Sequence, residues 1–277
     1  MAGPLGGALA HRLVLERSAV IPTTVALVPM RSGSKRVRNK NIKPLAGHPL
    51  CAYAIASALE SGVFSDVLVS TDSEEYAAIA RRYGAWVPFL AGLDGSCHTD
   101  TSPDIAWVDF TLRRLREMGR EWDAFAILRP TNPFRTAETI RRAYSRWLEK
   151  GAGFDSLRAV ERTPVHPYKQ FRYDATSSRL VPLMEYADDW WKDGAPGHSR
   201  QYQSLPPVYS QNASLEIAWT KTVFEKGSIA GDRILPFFSE GLEGFDINNF
   251  DDYDRACRLV ESGQVVLPGG LHAAQGS

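Results

Sequence analysis

The sequence is poor in cysteine, has no long apolar run and has no excess of charge of either sign. Its three cysteines, Cys51, Cys97 and Cys257, are widely separated and form no C-x-x-C pair. This pattern argues against a disulfide framework and predicts a reducing, cytoplasmic setting. No apolar run approaches the roughly 18 residues of a membrane-spanning helix, so we expect a soluble protein. Charged side chains interrupt the early leucines, and residues 1–23 are therefore predicted to be a loose extension and not a signal peptide.

The charge balance excludes a broad basic surface. Lysine plus arginine equals aspartate plus glutamate, at 32 residues each. A nucleic-acid or anionic-membrane partner is therefore not expected, and any anion site must be local. The 44% hydrophobic and 23% charged content is that of an ordinary globular protein.

Short apolar runs alternate with stretches of helical periodicity. Buried parallel strands are predicted at Val25–Met30, Val67–Ser70, Ala124–Leu128 and Ser156–Val160. Helices are predicted at Pro49–Glu60, Ser73–Tyr83, Ser102–Met118 and Thr136–Lys150, where Ser73, Ser102 and Thr136 are capping residues. This alternation predicts a doubly wound α/β fold with a mostly parallel sheet covered on both faces.

The second half of the chain differs in composition and periodicity. From about 161 to 211, proline, tyrosine, tryptophan and glutamine are frequent and no long helical period is present, which predicts an inserted dimerisation or lid segment. A strand at Ser214–Thr220 and a final helix at Asn248–Ser262 follow. We therefore predict one domain over residues 24–263 and a C-terminal tail over 264–277.

A basic loop follows the first predicted strand. Residues 31–41 contain five cations in eleven positions, together with a glycine and two serines. Open α/β sheets bind ligands at the carboxyl ends of their strands, so this placement favours a phosphate-binding loop over a solvated surface turn. The loop lacks both G-x-x-x-x-G-K-[ST] and G-x-G-x-x-G, which argues against a P-loop ATPase and a Rossmann dehydrogenase.

Four segments in order resemble the CMP-sialic acid synthetase (acylneuraminate cytidylyltransferase) family. They are the Arg-x-Gly-Ser-Lys run from Arg31 with its following Lys-Asn, Val69–Asp72, Leu128–Arg135 and Phe245–Asn248. The family's third segment reads Leu-Gln-Pro-Thr-Ser-Pro-Leu-Arg, where this chain reads Leu-Arg-Pro-Thr-Asn-Pro-Phe-Arg. The resemblance extends over about 24–262 and implies a Rossmann-like nucleotidyltransferase.

The resemblance implies roles on the nucleotide side of a site. Nucleotide-binding residues are predicted to be Arg31, Ser34, Lys35, Lys40, Asn41, Asp100 and Ser102, and catalytic residues to be Lys35, Arg31 and Asp246. Lys35 is expected to offset charge that develops when pyrophosphate leaves. Asp246 and Asn248 are the predicted Mg²⁺ site, although Asn248 could instead act through water or cap the last helix. Asp100, Ser102 and Asp72 also have helix-start interpretations, which stay open.

The resemblance also implies an acceptor side. Substrate-binding residues are predicted to be Arg129, Lys169, Arg200, Gln211 and Asn212, with Arg200 as the cation for a sugar carboxylate. Lys169 could equally be an exposed loop lysine. Three departures stand out, because the family has glutamine, arginine and glycine where this chain has Arg129, Ser210 and Ala213.

The sequence therefore predicts a homodimeric, magnesium-dependent enzyme that moves CMP from CTP to a sialic-acid-like 3-deoxy-2-keto sugar acid. Two alternatives stay open at this point. One is a related nucleotidyltransferase with another nucleotide or a sugar phosphate acceptor. The other is a catalytically silent nucleotide-binding protein.

Overall fold

A computed structural model describes residues 21–34, 36–92, 102–184 and 196–268 of the chain. Within these ranges, every helix is too short or too polar to cross a bilayer. Most of the predicted N-terminal extension and part of the predicted C-terminal tail lie outside the described residues. Of the tail, Val265 and Leu267 are described, and they pack against a small core around the last helix.

The described residues form strands and helices in alternating order. The strands are β1 (Thr24–Pro29), β2 (Pro44–Leu45), β3 (His48–Pro49), β4 (Asp66–Ser70), β5 (Ala124–Ile127), β6 (Ser156–Arg162), β7 (Phe171–Asp174), β8 (Arg179–Pro182), β9 (Tyr209–Trp219) and β10 (Ile234–Phe238). The helices are α1 (Leu50–Ser61), α2 (Glu74–Arg82), α3 (Asp104–Glu117), α4 (Ala137–Lys150), α5 (Thr220–Lys226) and α6 (Phe250–Glu261). One-turn 3₁₀ helices lie at Lys40–Ile42, Gly151–Gly153, Pro167–Lys169, Gly197–Ser199 and Tyr202–Ser204.

Six strands form the central sheet in the order β10-β6-β9-β5-β1-β4. β1 is parallel to β4 and β5, and β10 is parallel to β6. β9 is antiparallel to both of its neighbours, β5 and β6. The predicted mostly parallel α/β fold is confirmed, and the one reversed strand in the middle of the sheet is a feature that the apolar pattern did not indicate.

Side chains alternate between two apolar layers, because successive residues of a strand point to opposite faces. In β1, Ala26 and Val28 pack on the face covered by α1, α2 and α4. Val25 and Leu27 pack on the other face, against α3 and α5. α6 closes a third, smaller cluster with Leu45 and other residues. The sheet is therefore covered on both faces, as predicted.

Two predicted helix caps are confirmed and one is wrong. The side chains of Ser73 and Thr136 accept hydrogen bonds from backbone N–H groups in the first turns of α2 and α4. α3 begins at Asp104 with Pro103 in the N-cap position, so Ser102 does not cap it. Pro103 has an extended backbone, with φ of −67° and ψ of 153°, and the helix begins only after it.

The last helix starts two residues later than predicted. Its N-cap is Asn249, whose side chain accepts from the backbone N–H of Asp252, and the Asp252 carboxylate bonds back to Asn249. This reciprocal capping box satisfies two free donors of the first turn. Asn248 therefore lies outside the helix, and the interpretation of Asn248 as its cap is wrong.

The irregular segment leaves and re-enters the central sheet. β6 ends at Arg162 and β9 begins at Tyr209, so the chain between these strands is residues 163–208, close to the predicted 161–211. β7 and β8 form an antiparallel hairpin within this segment. For Trp190 and Trp191, the sequence leaves open whether the pair stacks on a base or sugar or forms a dimer contact or loop anchor, and both residues lie outside the described residues.

Candidate active site

A cavity of about 420 Å³ opens beside the carboxyl ends of β1 and β5. This is the edge at which open α/β sheets bind ligands. Residues far apart in the chain meet there, since the lining includes the predicted site residues Arg31, Ser34, Lys40, Asn41, Ser102, Arg129, Asp246 and Asn248. Lys35 and Asp100 lie outside the described residues, and their roles stay predictions.

The basic loop is held at both of its ends. The backbone N–H of Ser32 donates to Oδ1 of Asp72 at 2.7 Å, and Nδ2 of Asn41 donates to the carbonyl of Arg31 at 3.0 Å. Between these bonds, Gly33 has a φ of 73°, in the left-handed region that favours glycine. Asp72 therefore fixes the loop and does not cap α2, whose cap is Ser73.

Lys40 connects the basic loop with the aspartate segment. Its Nζ donates to the carbonyl of Ile247 at 2.9 Å. Burial lowers the pKa of Lys40 below its ordinary value, the charge of Asp246 opposes this shift, and the charge of Arg36 adds to it. A cation that is partly desolvated in this way interacts strongly with any anion that enters the cavity.

Asp246 presents one oxygen that the protein leaves without a hydrogen bond. Its Oδ2 accepts from Nδ2 of Asn248 at 2.8 Å. Its Oδ1 is buried and has no hydrogen-bond partner among the described residues. Since buried polar atoms are normally paired, this oxygen fits a ligand to a cation. The described part of the chain contains no group of three or more His, Cys, Asp or Glu side chains that could hold a metal ion. A site with a single aspartate still suits Mg²⁺, because this ion usually needs only one or two carboxylates together with phosphate and water.

Arg129 belongs to a row of charged side chains under the cavity. Its Nη2 lies 2.7 Å from Oδ2 of Asp104 and 2.8 Å from Oε1 of Glu216. Glu216 is 2% exposed and also pairs with Arg158 on the neighbouring strand. Burial raises the pKa of Asp104, but the charge of Arg129 and hydrogen bonds from Arg129 and Trp107 bring it below the ordinary value. Arg129 therefore lines the cavity with its charge largely offset, and its substrate-binding role stays a prediction.

The other four predicted acceptor residues do not line this cavity. Nζ of Lys169 donates to the backbone carbonyls of His198 and Arg200, which anchors the loop that carries Arg200. Asn212 donates to Oγ of Ser239 at 2.9 Å, and Gln211 is an exposed residue of β9 opposite Val160. Neither Lys169, Arg200, Gln211 nor Asn212 is among the lining residues. Their substrate-binding roles stay predictions.

The other two departures also have defined positions. Ser210 shares a hydrogen bond with the hydroxyl of Thr163, between β9 and the end of β6. Ala213 lines the cavity and has a φ of 57°, so it adopts a left-handed backbone conformation without being glycine.

A family model described as cytidylyltransferase matches residues 25–170, a range that contains the basic loop, Asp72, Ser102 and Arg129. The chain belongs to the cytidylyltransferase family. The predicted recognition and the predicted enzyme class, a nucleotidyltransferase, are thereby confirmed.

Individual relatives agree with the cytidylyltransferase assignment. A CMP-N,N'-diacetyllegionaminic acid synthase from Legionella pneumophila is 33% identical over 244 residues, which are 88% of this chain and 98% of that protein. An N-acylneuraminate cytidylyltransferase from Escherichia coli is 41% identical over 239 residues, 86% of this chain and 52% of that longer protein.

Solved structures share the fold at low identity. The structure of a CMP:2-keto-3-deoxy-manno-octonic acid synthetase complexed with CTP has a TM-score of 0.60 at 10% identity, and the match covers 87% of this chain and 99% of that one. A 4-diphosphocytidyl-2C-methyl-D-erythritol synthase from Anaerococcus prevotii has a TM-score of 0.57. At such identities the likeness supports the fold alone.

Several lining or supporting residues of this cytidylyltransferase were not predicted from the sequence. Asp104, Trp107 and Thr131 line the cavity, and none of them was among the predicted site residues. Glu216 had a usable signal, because a single carboxylate inside the apolar run Leu215–Ala218 must find a cation when it is buried. Thr131 had a signal in the Leu128–Arg135 segment that resembles the family, whereas Trp107 carried none.

Proposed function

We propose that this cytidylyltransferase transfers CMP from CTP to a 3-deoxy-2-keto sugar acid and releases pyrophosphate. The observation that carries the proposal is the cavity that the basic loop, with its Lys40, lines together with Asp246 and its free oxygen. The names of the relatives support the acceptor class, since they refer to diacetyllegionaminic acid and acylneuraminate.

The proposed reaction is an in-line displacement. The acceptor's anomeric hydroxyl oxygen forms a bond to the α-phosphorus and its proton is released to solvent. The bond from that phosphorus to the α-β bridging oxygen breaks, and pyrophosphate leaves with the electron pair. Negative charge develops on the leaving oxygens, so cations already in place lower the barrier. Arg31, Lys35 and Lys40, all in the basic loop, supply this charge in the proposal.

Magnesium is part of the proposal. Asp246 would hold the ion through Oδ1, and Asn248 orients that carboxylate through the bond to Oδ2. When bound, Mg²⁺ neutralises phosphate charge and polarises the phosphoryl group. A single protein carboxylate is sufficient for this role, because the nucleotide's own oxygens and water complete the coordination.

A coupled assay of pyrophosphate release tests the function. With CTP and a panel of keto-sugar acids, we expect turnover that chelator abolishes. Lys35→Ala should lose about 2 to 4 kcal/mol of transition-state stabilisation, as on removal of one preorganised charge-stabilising donor, and Asp246→Ala should be inactive. Asp251→Ala is the matched control, since it removes an exposed carboxylate from the first turn of α6 and should keep full activity. No pyrophosphate with any acceptor, or full activity in chelator, would contradict the proposal.

The same panel ranks the acceptors. Ser210 replaces an arginine of the family, and its hydroxyl already contacts Thr163. A hydroxyl cannot replace a bidentate guanidinium, and one lost charge-assisted contact costs about 1.5 to 3 kcal/mol. N-acetylneuraminate is therefore expected to be poorer than another keto-sugar acid, and a preference for N-acetylneuraminate would contradict this.

We further propose that the enzyme is a homodimer joined through the β7–β8 hairpin. The hairpin carries unusually exposed apolar side chains, with Tyr173 at 62%, Leu180 at 65% and Leu183 at 58% exposure. A two-stranded hairpin has little stability of its own, and apolar surface of this kind is characteristic of interfaces. We propose that a second copy of the chain packs against these exposed apolar side chains.

A further inference from the structure

The turn after β5 holds the aspartate segment on both sides of Asp246. Nδ2 of Asn132 donates to the carbonyl of Phe245 at 3.0 Å, directly before Asp246. The backbone N–H of Ile247, directly after it, donates to the carbonyl of Thr131 at 2.9 Å. Asp246 is therefore the residue bracketed by two hydrogen bonds from one turn.

Asn132 makes its bond from a fully enclosed position. Its side chain is 1% exposed. Because the Phe245 carbonyl can only accept, the amide must present its N–H₂ to it, and this fixes the orientation of the amide. Oδ1 then points elsewhere and has no hydrogen-bond partner among the described residues. A buried acceptor without a partner lowers stability, so this asparagine is not explained by its contribution to the folded state.

The asparagine also differs from the motif that this segment resembles. The resembling family has serine at the corresponding position, between threonine and proline. A serine hydroxyl is one bond shorter than the asparagine amide. In this structure, the amide reaches the Phe245 carbonyl at hydrogen-bond distance, whereas a serine would fall short of it without a shift of the turn.

The turn that carries Asn132 is itself held in place. The backbone N–H of Asn132 bonds to the carbonyl of Arg129, and the fully buried Arg135 donates to that same carbonyl. Lys40 adds a third tie to the aspartate segment by donating to the carbonyl of Ile247. The backbone around Asp246 is thus fixed from the β5 side and from the basic loop.

We propose that Asn132 is a positioning residue for Asp246, which sets the place of its free Oδ1 for the divalent cation. The inference rests on the metal site of the proposed function. Residues outside the ligand set that orient a ligand commonly change metal affinity about 10- to 100-fold when they are removed. Asn132 does so through the backbone, because it holds the peptide that leads into the ligand.

Direct Mn²⁺ binding separates this role from a general structural one. Mn²⁺ substitutes for Mg²⁺, and its free concentration is followed by electron paramagnetic resonance with CTP present. Asn132→Ala is expected to weaken Mn²⁺ binding about tenfold or more, and CTP binding in chelator should be unchanged. Asn132→Ser should fall between wild type and Asn132→Ala. Serine stands at this position in the resembling motif and keeps a polar side chain there, so this variant keeps the test available if the alanine variant does not fold.

Tyr144→Phe is the matched control. Tyr144 donates to the carbonyl of Pro22 at 3.0 Å, so its loss also removes a side-chain bond to a backbone carbonyl, but at the opposite end of the sheet. This variant should lower the melting temperature and leave Mn²⁺ affinity unchanged. Unchanged Mn²⁺ affinity in both Asn132 variants, or an equal weakening of Mn²⁺ and CTP binding, would overturn the inference. If Asp246→Ala binds Mn²⁺ as wild type does, the proposed metal site itself fails, which is a distinguishable result.

Discussion

At the scale of single residues, Ala213 has a backbone conformation that is costly for its type. Its φ is 57°, and it lies where the pairing of β9 with β6 shifts register. A non-glycine residue in the left-handed region costs about 1 to 2 kcal/mol, because its Cβ crowds the following carbonyl. The related family has glycine here, so the chain keeps the backbone geometry without the residue that suits it.

Ala213→Gly is expected to stabilise the protein. Relief of the left-handed strain exceeds the greater flexibility that glycine gives the unfolded chain, and the net gain should be about 0.5 to 1 kcal/mol in the free energy of unfolding. Urea denaturation measures it. Ala126→Gly, in the ordinary extended backbone of β5, is the control and should lower stability. A loss of stability at both positions would contradict the strain at Ala213.

Single residues of the site were predicted where a local motif names them, and their partners were not. The basic loop with its Lys40, and Asp246, could be recognised from the residues next to them in the sequence. That Lys40 reaches the carbonyl of Ile247, or that Asp72 holds Ser32, depends on pairs 207 and 40 residues apart. Such pairs are set by the sheet order, which residue types alone do not specify.

At the scale of elements, the start of α3 is joined to β5 by a charge pair. Asp104, the first residue of the helix, contacts the Arg129 guanidinium and also accepts from Nε1 of Trp107 at 2.9 Å. An acid in the first turn also complements the helix dipole. This pair positions the beginning of α3, directly after Ser102 on the cavity wall.

The pair predicts a pH dependence of stability. Burial raises the pKa of Asp104, but the charge of Arg129 and its hydrogen bond lower it, and the pKa lies below its ordinary value. The folded carboxylate therefore adds stability above the unfolded pKa of about 3.9, and this is lost as pH falls through the folded pKa. Because the Asp104 side chain is 40% exposed, we expect Asp104→Asn to cost only about 1 kcal/mol at neutral pH.

The measurement is the difference in unfolding free energy between wild type and Asp104→Asn across pH. It should be constant from pH 7 to about 4 and shrink toward zero below that. A difference that keeps the same size in strong acid would show that the carboxylate charge does not matter.

Elements were predictable where the signal is local. The caps at Ser73 and Thr136 follow from one residue and its next turn, and both helices begin where expected. The start of α3 was placed early because serine before proline reads as a cap, whereas the extended Pro103 delays the helix. The direction of β9 could not be predicted from the sequence, because a parallel and an antiparallel strand can have the same apolar pattern.

At the scale of the whole molecule, the proposed dimer gives a clear test. Leu180→Glu places a charge at the most exposed apolar position of the β7–β8 hairpin, and it should convert the dimer to monomer because the charge would be buried without a partner. Light scattering coupled to size-exclusion chromatography measures the mass. Leu148→Glu, at a 43% exposed leucine of α4, is the control and should remain dimeric. A wild-type protein that is monomeric at micromolar concentration would contradict the proposal.

The reversed direction of β9 has a consequence for how this enzyme can diversify. β9 is antiparallel to both β5 and β6, and β5 is parallel to β1, so β6 runs in the same direction as β1 and ends at the cavity edge from which β9 starts. The 163–208 segment thus departs and returns beside the active site, whatever its length. Closing a longer loop costs little, about 0.6 kcal/mol for each doubling. The segment can therefore gain or lose residues without disturbing the strands that hold the basic loop, so that the proposed dimer contact can evolve separately from the proposed chemistry in the cavity.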